Sequence, residues 1–155
     1  MRSFEYIRPR NLSEATEFLD QNHENALLVA GGTAAVVMMR LGIIRPEYVC
    51  DIGGVSDMTG VSISDEELRL GALTTIRLVE RDEEILRYWP HLSEAAGQVG
   101  NVRVRNMATI GGALSYGEPQ TDTPIALLAM GASITASRVN SSRQIALDQF
   151  FVGPY

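Results

Sequence analysis

The chain has 155 residues, 45% hydrophobic and 21% charged, which is enough apolar content to build one domain or two small lobes and rules out a disordered chain. Its net charge of −6 argues against a general nucleic-acid binder, which needs a basic surface. It leaves a phosphate ligand open, because backbone N–H groups bind phosphate without Lys or Arg.

One cysteine, Cys50, closes no intramolecular disulfide and holds no iron–sulfur cluster. Cys50, His23 and His91 lack ligand-like spacing, so no metal site is expected. Redox chemistry would therefore need an organic cofactor. The opening MRSFEYIRPR has no apolar signal region, and no apolar run approaches a membrane span. A cytoplasmic protein without membrane insertion is expected.

Phe4 to Ile7 reads as a short strand ended by Pro9. Asn11 and Glu14 have capping-box spacing, and Leu12, Ala15, Phe18 and Leu19 then share one helical face. The helix frays at Gln21-Asn22-His23, which makes His23 a solvated helix end rather than a ligand. Ala26 to Val29 is a buried strand, Ala30-Gly31-Gly32-Thr33 a glycine turn, and Ala34 to Leu41 a helix stopped by Gly42. Tyr48 to Ile52 is another strand, with Cys50 buried in it. Strands separated by short helices predict a small parallel α/β lobe over residues 1–55. Its glycine turn falls at the carboxyl end of a strand, where open α/β sheets bind ligands.

Gly53-Gly54 reads as a hinge between lobes. Met58 to Ile63 and Leu68 to Leu73 suggest a hairpin around a Ser64-Asp65-Glu66-Glu67 turn. Helices are expected from Thr74-Thr75 to Arg81, from Asp82 to Tyr88 and from Pro90 to Val99, with Leu92, Ala95, Ala96 and Val99 on one face. His91 has no local acid–base partner, and Trp89 reads as packing. Beyond the central stretch, Asp122 to Met130 reads as a helix closed by Gly131. Strands Ser133 to Val139 and Gln144 to Leu147 follow, joined by a turn at Asn140-Ser141-Ser142-Arg143. Residues 56–155 thus read as a second, α+β lobe with an antiparallel sheet.

The central stretch, NVRVRNMATIGGALSYGEPQTDTP at 101–124, draws the rest together. Arg103 and Arg105, each alone, read as surface charges. Thr109-Ile110-Gly111-Gly112-Ala113 reads as a small-residue turn whose paired glycines permit φ > 0 and leave bare peptide for a ligand; a strand bend is the plainer reading. A polar loop follows it. Asp122 can cap the next helix or accept hydrogen bonds from ligand hydroxyls. The Gly31-Gly32-Thr33 turn is neither a Walker loop nor a GxGxxG fingerprint, and its plainer reading is a turn with a Thr cap. Together, the two turns suggest a grip on one extended, phosphate-bearing cofactor.

These motifs resemble the FAD-binding domain of molybdenum hydroxylases, the medium, flavin-carrying subunit of enzymes of the xanthine dehydrogenase and carbon monoxide dehydrogenase type. The resemblance rests on Phe4-Glu5-Tyr6 with Pro9, Leu12-Ser13-Glu14-Ala15, LLVAGGTAA at 27–35, Asp51-Ile52, LRLGALTT at 68–75 and PHLSEAA at 90–96. VRNMATIGGALSYGEPQTDTP and RQIALDQFFVGPY extend it nearly end to end. It implies the two-lobed α+β FAD-binding fold of the vanillyl-alcohol oxidase group. It also implies a first FAD loop at Val29 and Ala30 to Ala34, contacting the pyrophosphate through backbone N–H groups and the Thr33 hydroxyl. Thr109 to Ala113 would form the second FAD loop, and Asp122 would accept from a sugar or ribityl hydroxyl. No catalytic residue is implied in this chain.

Three departures accompany the resemblance. Ala34 stands where many relatives carry a polar or acidic residue, and Ala113 where Asn or Ser is usual, so that one side-chain hydrogen bond to the cofactor, worth on the order of 1 kcal/mol, is absent. Relatives also continue past the position of Tyr155 with another strand and a C-terminal domain.

The resemblance implies an FAD-binding oxidoreductase subunit of the xanthine dehydrogenase type, inactive without its partner chains. It would pass electrons from an iron–sulfur subunit to NAD+ or another acceptor. Molybdopterin and iron–sulfur clusters would lie only in partner chains. The alternative is a truncated, flavin-free assembly subunit; a stand-alone flavin oxidase would need a substrate lobe. Phe150-Phe151 raises the expectation of an exposed apolar patch for a partner or for self-association.

Overall fold

The computed structural model describes residues 3–64 and 67–153. Asp65 and Glu66 of the expected hairpin turn, and the opening and closing dipeptides of the chain, lie outside the described residues.

The first half forms β1 (Glu5–Ile7), α1 (Leu12–Asn22), β2 (Ala26–Val29), α2 (Ala35–Arg40) and β3 (Tyr48–Asp51). The three strands are parallel in the order β1-β3-β2, with Val49 opposite both Tyr6 and Leu27. The middle strand carries the buried pair Val49 and Cys50. Asn11 caps α1 by accepting the Glu14 N–H at 2.9 Å, and the Glu14 carboxylate accepts the Arg10 N–H at 2.9 Å. This locks the chain reversal between β1 and α1. Ala15 then faces a small core with Cys50, Ile52, Val55 and Leu73.

Two expectations change here. β2 is an edge strand with Leu28 45% exposed, because β3 and not β2 takes the middle of the sheet. α2 is shorter than read. Gly42, at φ +74°, ends it, with the Gly42 and Ile43 N–H groups donating to the Met39 and Met38 carbonyls.

Gly53-Gly54 forms a turn in which the Gly53 N–H donates to Asp51 Oδ1 at 2.8 Å. A 3₁₀ turn at Ser56–Met58 leads to the antiparallel hairpin β4 (Val61–Ile63) and β5 (Leu68–Leu70). Six helices follow: α3 (Ile76–Arg81), α4 (Glu83–Tyr88), α5 (Pro90–Gln98), α6 (Val102–Arg105), α7 (Ile110–Tyr116) and α8 (Asp122–Ala129). Thr75, Asp82, Asn101 and Thr109 cap α3, α4, α6 and α7 through side-chain oxygens. A second hairpin, β6 (Ser133–Arg138) and β7 (Ser141–Ala146), precedes α9 (Leu147–Phe150).

The expected antiparallel sheet is thus two separate hairpins. The β6–β7 turn is only Val139-Asn140, shorter than read, because Asn140 adopts φ 56°, a conformation Asn tolerates better than most residues. α6, α7 and α9 were not anticipated as helices. In α5 it is Leu92, Ser93 and Ala96 that are buried. Phe150 and Phe151 stack edge-to-face at 5.2 Å and pack on the larger core around Ile76, Ile85 and Leu92, so they form no exposed patch. Trp89 packs on the same core.

Two polar details bear on stability. Arg105 is not a surface charge: its side chain is 11% exposed and donates to Glu80 at 2.8 Å and to the Val99 carbonyl at 3.0 Å. Arg77 binds the other Glu80 oxygen at 2.8 Å, and the Glu80 carbonyl accepts from Ser93. Burial pushes the Glu80 carboxyl up, but the two arginine hydrogen bonds and charges outweigh it and hold the pKa below the usual carboxylate range. The stability this group contributes is therefore present at neutral pH and lost as pH falls through the lowered folded-state value. Elsewhere, Thr123 is 1% exposed, and its hydroxyl has no hydrogen-bond partner among the described residues.

Glu80→Gln is expected to cost about 2 kcal/mol at pH 7 in urea unfolding, and to narrow the stability difference between neutral and acid pH. An acid-unfolding curve identical to that of wild type would contradict the role given to the cluster. Thr123→Val removes a buried unpaired hydroxyl at nearly constant volume, so a gain of about 1 kcal/mol is expected in the flavin-free chain. A loss of stability there would mean that the hydroxyl has a partner.

Candidate functional site

The first glycine turn runs from the carboxyl end of β2 to α2. Gly32 sits at φ +68°, the left-handed region that glycine enters without strain. This bends the chain so that the helix can start at once, with Val36 N–H donating to Gly32 O and Met38 N–H to Ala34 O, both at 3.0 Å. Among the described residues, no protein acceptor meets the N–H groups of Ala30, Gly31, Gly32, Thr33 or Ala34. Ala34 holds the N-cap position and provides no side-chain bond. Thr33 is exposed and does not cap the helix, so the turn is not the Thr-capped one of the plainer reading. Five successive backbone donors thus lack an acceptor among the described residues. Consecutive donors of this kind form an anion-binding concavity.

The second turn differs from its expectation. Thr109 to Ala113 is the start of α7, not a loop, and Gly111 and Gly112 do not adopt positive φ. Its donors are already used. Ile110 N–H goes to Thr74 O at 3.0 Å, Gly111 N–H to Ala72 O at 2.7 Å, Gly112 N–H to Thr109 Oγ1 at 3.1 Å, and Ala113 N–H to Thr109 O at 2.9 Å. Close packing explains Gly111, where a β-carbon would stand 2.7 Å from Ala72 Cβ and 2.8 Å from Ala72 O. All four of these N–H groups are thus satisfied inside the protein.

The fold brings the two turns together. A β-carbon on Gly31 would collide with the Met107 carbonyl and lie 3.0 Å from Ala108 Cα, so the first turn rests directly on the segment leading into the second. Asp122 is the first residue of α8 rather than its cap; Thr121 occupies the cap position, without a side-chain bond. The Asp122 side chain is exposed and makes no hydrogen bond among the described residues, so its oxygens remain available as acceptors. α8 packs on α5 and α7.

Sequence reasoning gave no role to a polar cluster beside the first turn. The Tyr6 hydroxyl donates to the Asp51 carboxylate, which also accepts from Gly53 N–H and has Arg8 Nε 3.8 Å away. The hydrogen bond to Asp51, followed by desolvation, raises the Tyr6 pKa. A signal was present: Asp51 ends a strand, two residues before the paired glycines Gly53-Gly54. Cys50 lies under the sheet, fully buried, and burial raises its thiol pKa. It serves as packing. Among the described residues the first turn thus offers unpaired backbone donors, and Asp122 an exposed carboxylate.

Residues 2–155 match the family described as the FAD binding domain in molybdopterin dehydrogenase. The chain is 34% identical over 152 residues to the glyceraldehyde dehydrogenase medium chain of Sulfolobus acidocaldarius, covering 98% of this chain and 54% of that protein. It is 32% identical to the carbon monoxide dehydrogenase medium chain of Hydrogenophaga pseudoflava, covering 98% and 53%. A solved carbon monoxide dehydrogenase from Hydrogenophaga pseudoflava superposes on 99% of this chain and 53% of its own, with a TM-score of 0.95 at 31% identity. The chain spans about half the length of the curated relatives it matches. No helix among the described residues is long and apolar enough to cross a membrane. The fold is the two-lobed α+β FAD-binding fold, and the chain belongs to the family of FAD-binding domains of molybdopterin dehydrogenases.

Proposed function

We propose that the five free N–H groups of Ala30 to Ala34 hold the FAD diphosphate, and this unsatisfied row of donors is the observation that carries the reading. The residues fit the group. Gly31 and Gly32 leave the peptide bare, Gly32 supplies the bend, and the exposed Thr33 hydroxyl adds a further donor. Val29 ends the strand that carries the turn. Thr109 to Ala113, already satisfied internally, form a rigid wall for the flavin side of the cofactor. Asp122 accepts from a ribityl or sugar hydroxyl. Residues 1–55 and 56–155 act as the two lobes that close on it.

FAD supplies the redox chemistry when bound, exchanging electrons singly or in pairs. The chain orients it and excludes water from the diphosphate. The wider role we infer is electron passage from an iron–sulfur subunit to NAD+ or another acceptor. Hydroxylation of substrate would take place on a molybdenum cofactor in a further chain, as in xanthine dehydrogenase-like complexes. The chain alone is then inactive in turnover. The medium-chain names of its relatives support this reading. A flavin-free assembly role rests on Ala34 and Ala113, neither of which offers a polar side chain to a cofactor. The free donors of the first turn favour the flavoprotein.

The test is the visible spectrum of the purified chain after incubation with FAD and desalting, followed by titration. Retained flavin with a saturable quench of its fluorescence is the expected result; a colourless protein with no saturable binding would contradict the flavoprotein reading. Thr33→Asp places a negative charge at an exposed position without disturbing a hydrogen bond. It is expected to weaken FAD binding about a hundred-fold with little change in melting temperature. Unchanged affinity in that variant would remove the diphosphate from the first turn.

A further inference from the structure

A diphosphate carries negative charge that backbone dipoles only partly offset, and this chain has a net charge of −6. A cation near the first turn is the missing element. Arg8 follows β1 directly, so it stands at the carboxyl end of the same parallel sheet whose β2 end carries the turn. The contacts connect the two places. Ile52 N–H donates to Val29 O at 2.9 Å. A point one β-carbon above Gly53 lies 3.0 Å from Asp51 Oδ1 and 3.7 Å from the Ala30 carbonyl. A β-carbon on the next residue, Gly54, would stand 3.2 Å from Arg8 Nε and 3.4 Å from its Nη2. The guanidinium thus lies over bare peptide, in space that a side chain at 54 would fill.

Arg8 is held there, but its donors are free. Asp51 is fixed by Tyr6 and by Gly53 N–H, and its carboxylate attracts Arg8 at 3.8 Å. That distance is beyond a hydrogen bond, and among the described residues Arg8 makes none. A planar fork of N–H donors is suited to phosphate oxygens. We propose that Arg8, positioned by the Tyr6–Asp51 pair and seated over Gly54, contacts the cofactor's diphosphate and supplies the positive charge that the first turn lacks. This rests on the FAD reading above and adds a cation to it.

The experiment is FAD titration of the full chain by flavin fluorescence at about 20 and about 200 mM salt, for wild type, Arg8→Met and Arg8→Lys. Arg8→Met keeps most of the side-chain stem and removes the charge. We expect its FAD Kd to rise about ten-fold at low salt, and its salt dependence to be flatter than that of wild type. Arg8→Lys should recover part of the affinity and the salt slope. Its melting temperature should stay that of wild type, because the Arg8 side chain is 61% exposed. An Arg8→Met variant that binds FAD as wild type does overturns the proposal and leaves the FAD reading standing. So does a loss of affinity with an unchanged salt slope, which would mark a structural role. A wild-type chain that binds no FAD overturns both.

Discussion

The contact of Gly31 with the carbonyl of Met107 is the constraint on which the rest depends. No side chain fits between these two backbones, so the parallel sheet and the helical half meet at one fixed spacing. The same segment continues into a backbone stitch. Ile76 N–H donates to Ala108 O, Ile110 N–H to Thr74 O, and Gly111 N–H to Ala72 O. Thr74, fully buried, then ties its hydroxyl to both backbone groups of Gly60. An unbroken run of backbone contacts therefore leads from the first glycine turn through the second to the first hairpin. Peptide–peptide contacts of this kind tolerate little displacement, because an unmet buried N–H or C=O costs about 1–3 kcal/mol.

This arrangement divides the work between two turns that look alike in sequence. In the second, each N–H from Ile110 to Ala113 already has an acceptor inside the protein. In the first, the N–H groups of Ala30 to Ala34 have none among the described residues. Under the proposal above, the first is a place for an anion and the second a rigid wall. Paired glycines thus serve two ends. At Gly32 they allow a left-handed bend; at Gly111 they allow contact with Ala72. The exposed Asp122 adds an acceptor that takes no part in capping its helix.

Much of this was legible in the sequence where local rules act alone. The Asn11–Glu14 box, the helix start at Thr75 and the Gly42 and Gly131 stops fell where spacing put them, because each is decided within four or five residues. β1, β2 and β3 were legible as strands, but their order was not. That β3 lies between the other two depends on crossover geometry, and it turned β2 from a buried strand into an edge. α7 was hidden because Ile110-Gly111-Gly112 reads as a turn; long-range bonds to Thr74 and Ala72, with the Thr109 cap, hold two glycines in a helical start. Arg105 read as a surface charge because its partner Glu80 is 25 residues away. The Tyr6–Asp51–Arg8 cluster joins residues more than forty positions apart, and the local sequence marks only its Asp51 end, near Gly53-Gly54. The family was legible from the motif string, while the use made of each turn required the hydrogen bonds.

The measurement that tests this account most directly is residue-resolved amide hydrogen exchange of the chain with and without FAD. The account predicts fast exchange at Gly31, Gly32, Thr33 and Ala34 in the free chain and strong protection when FAD is added. It predicts slow exchange at Ile110, Gly111 and Gly112 in both states. Protection appearing at 110–112 on binding, with 31–34 unaffected, would contradict the division of roles between the two turns.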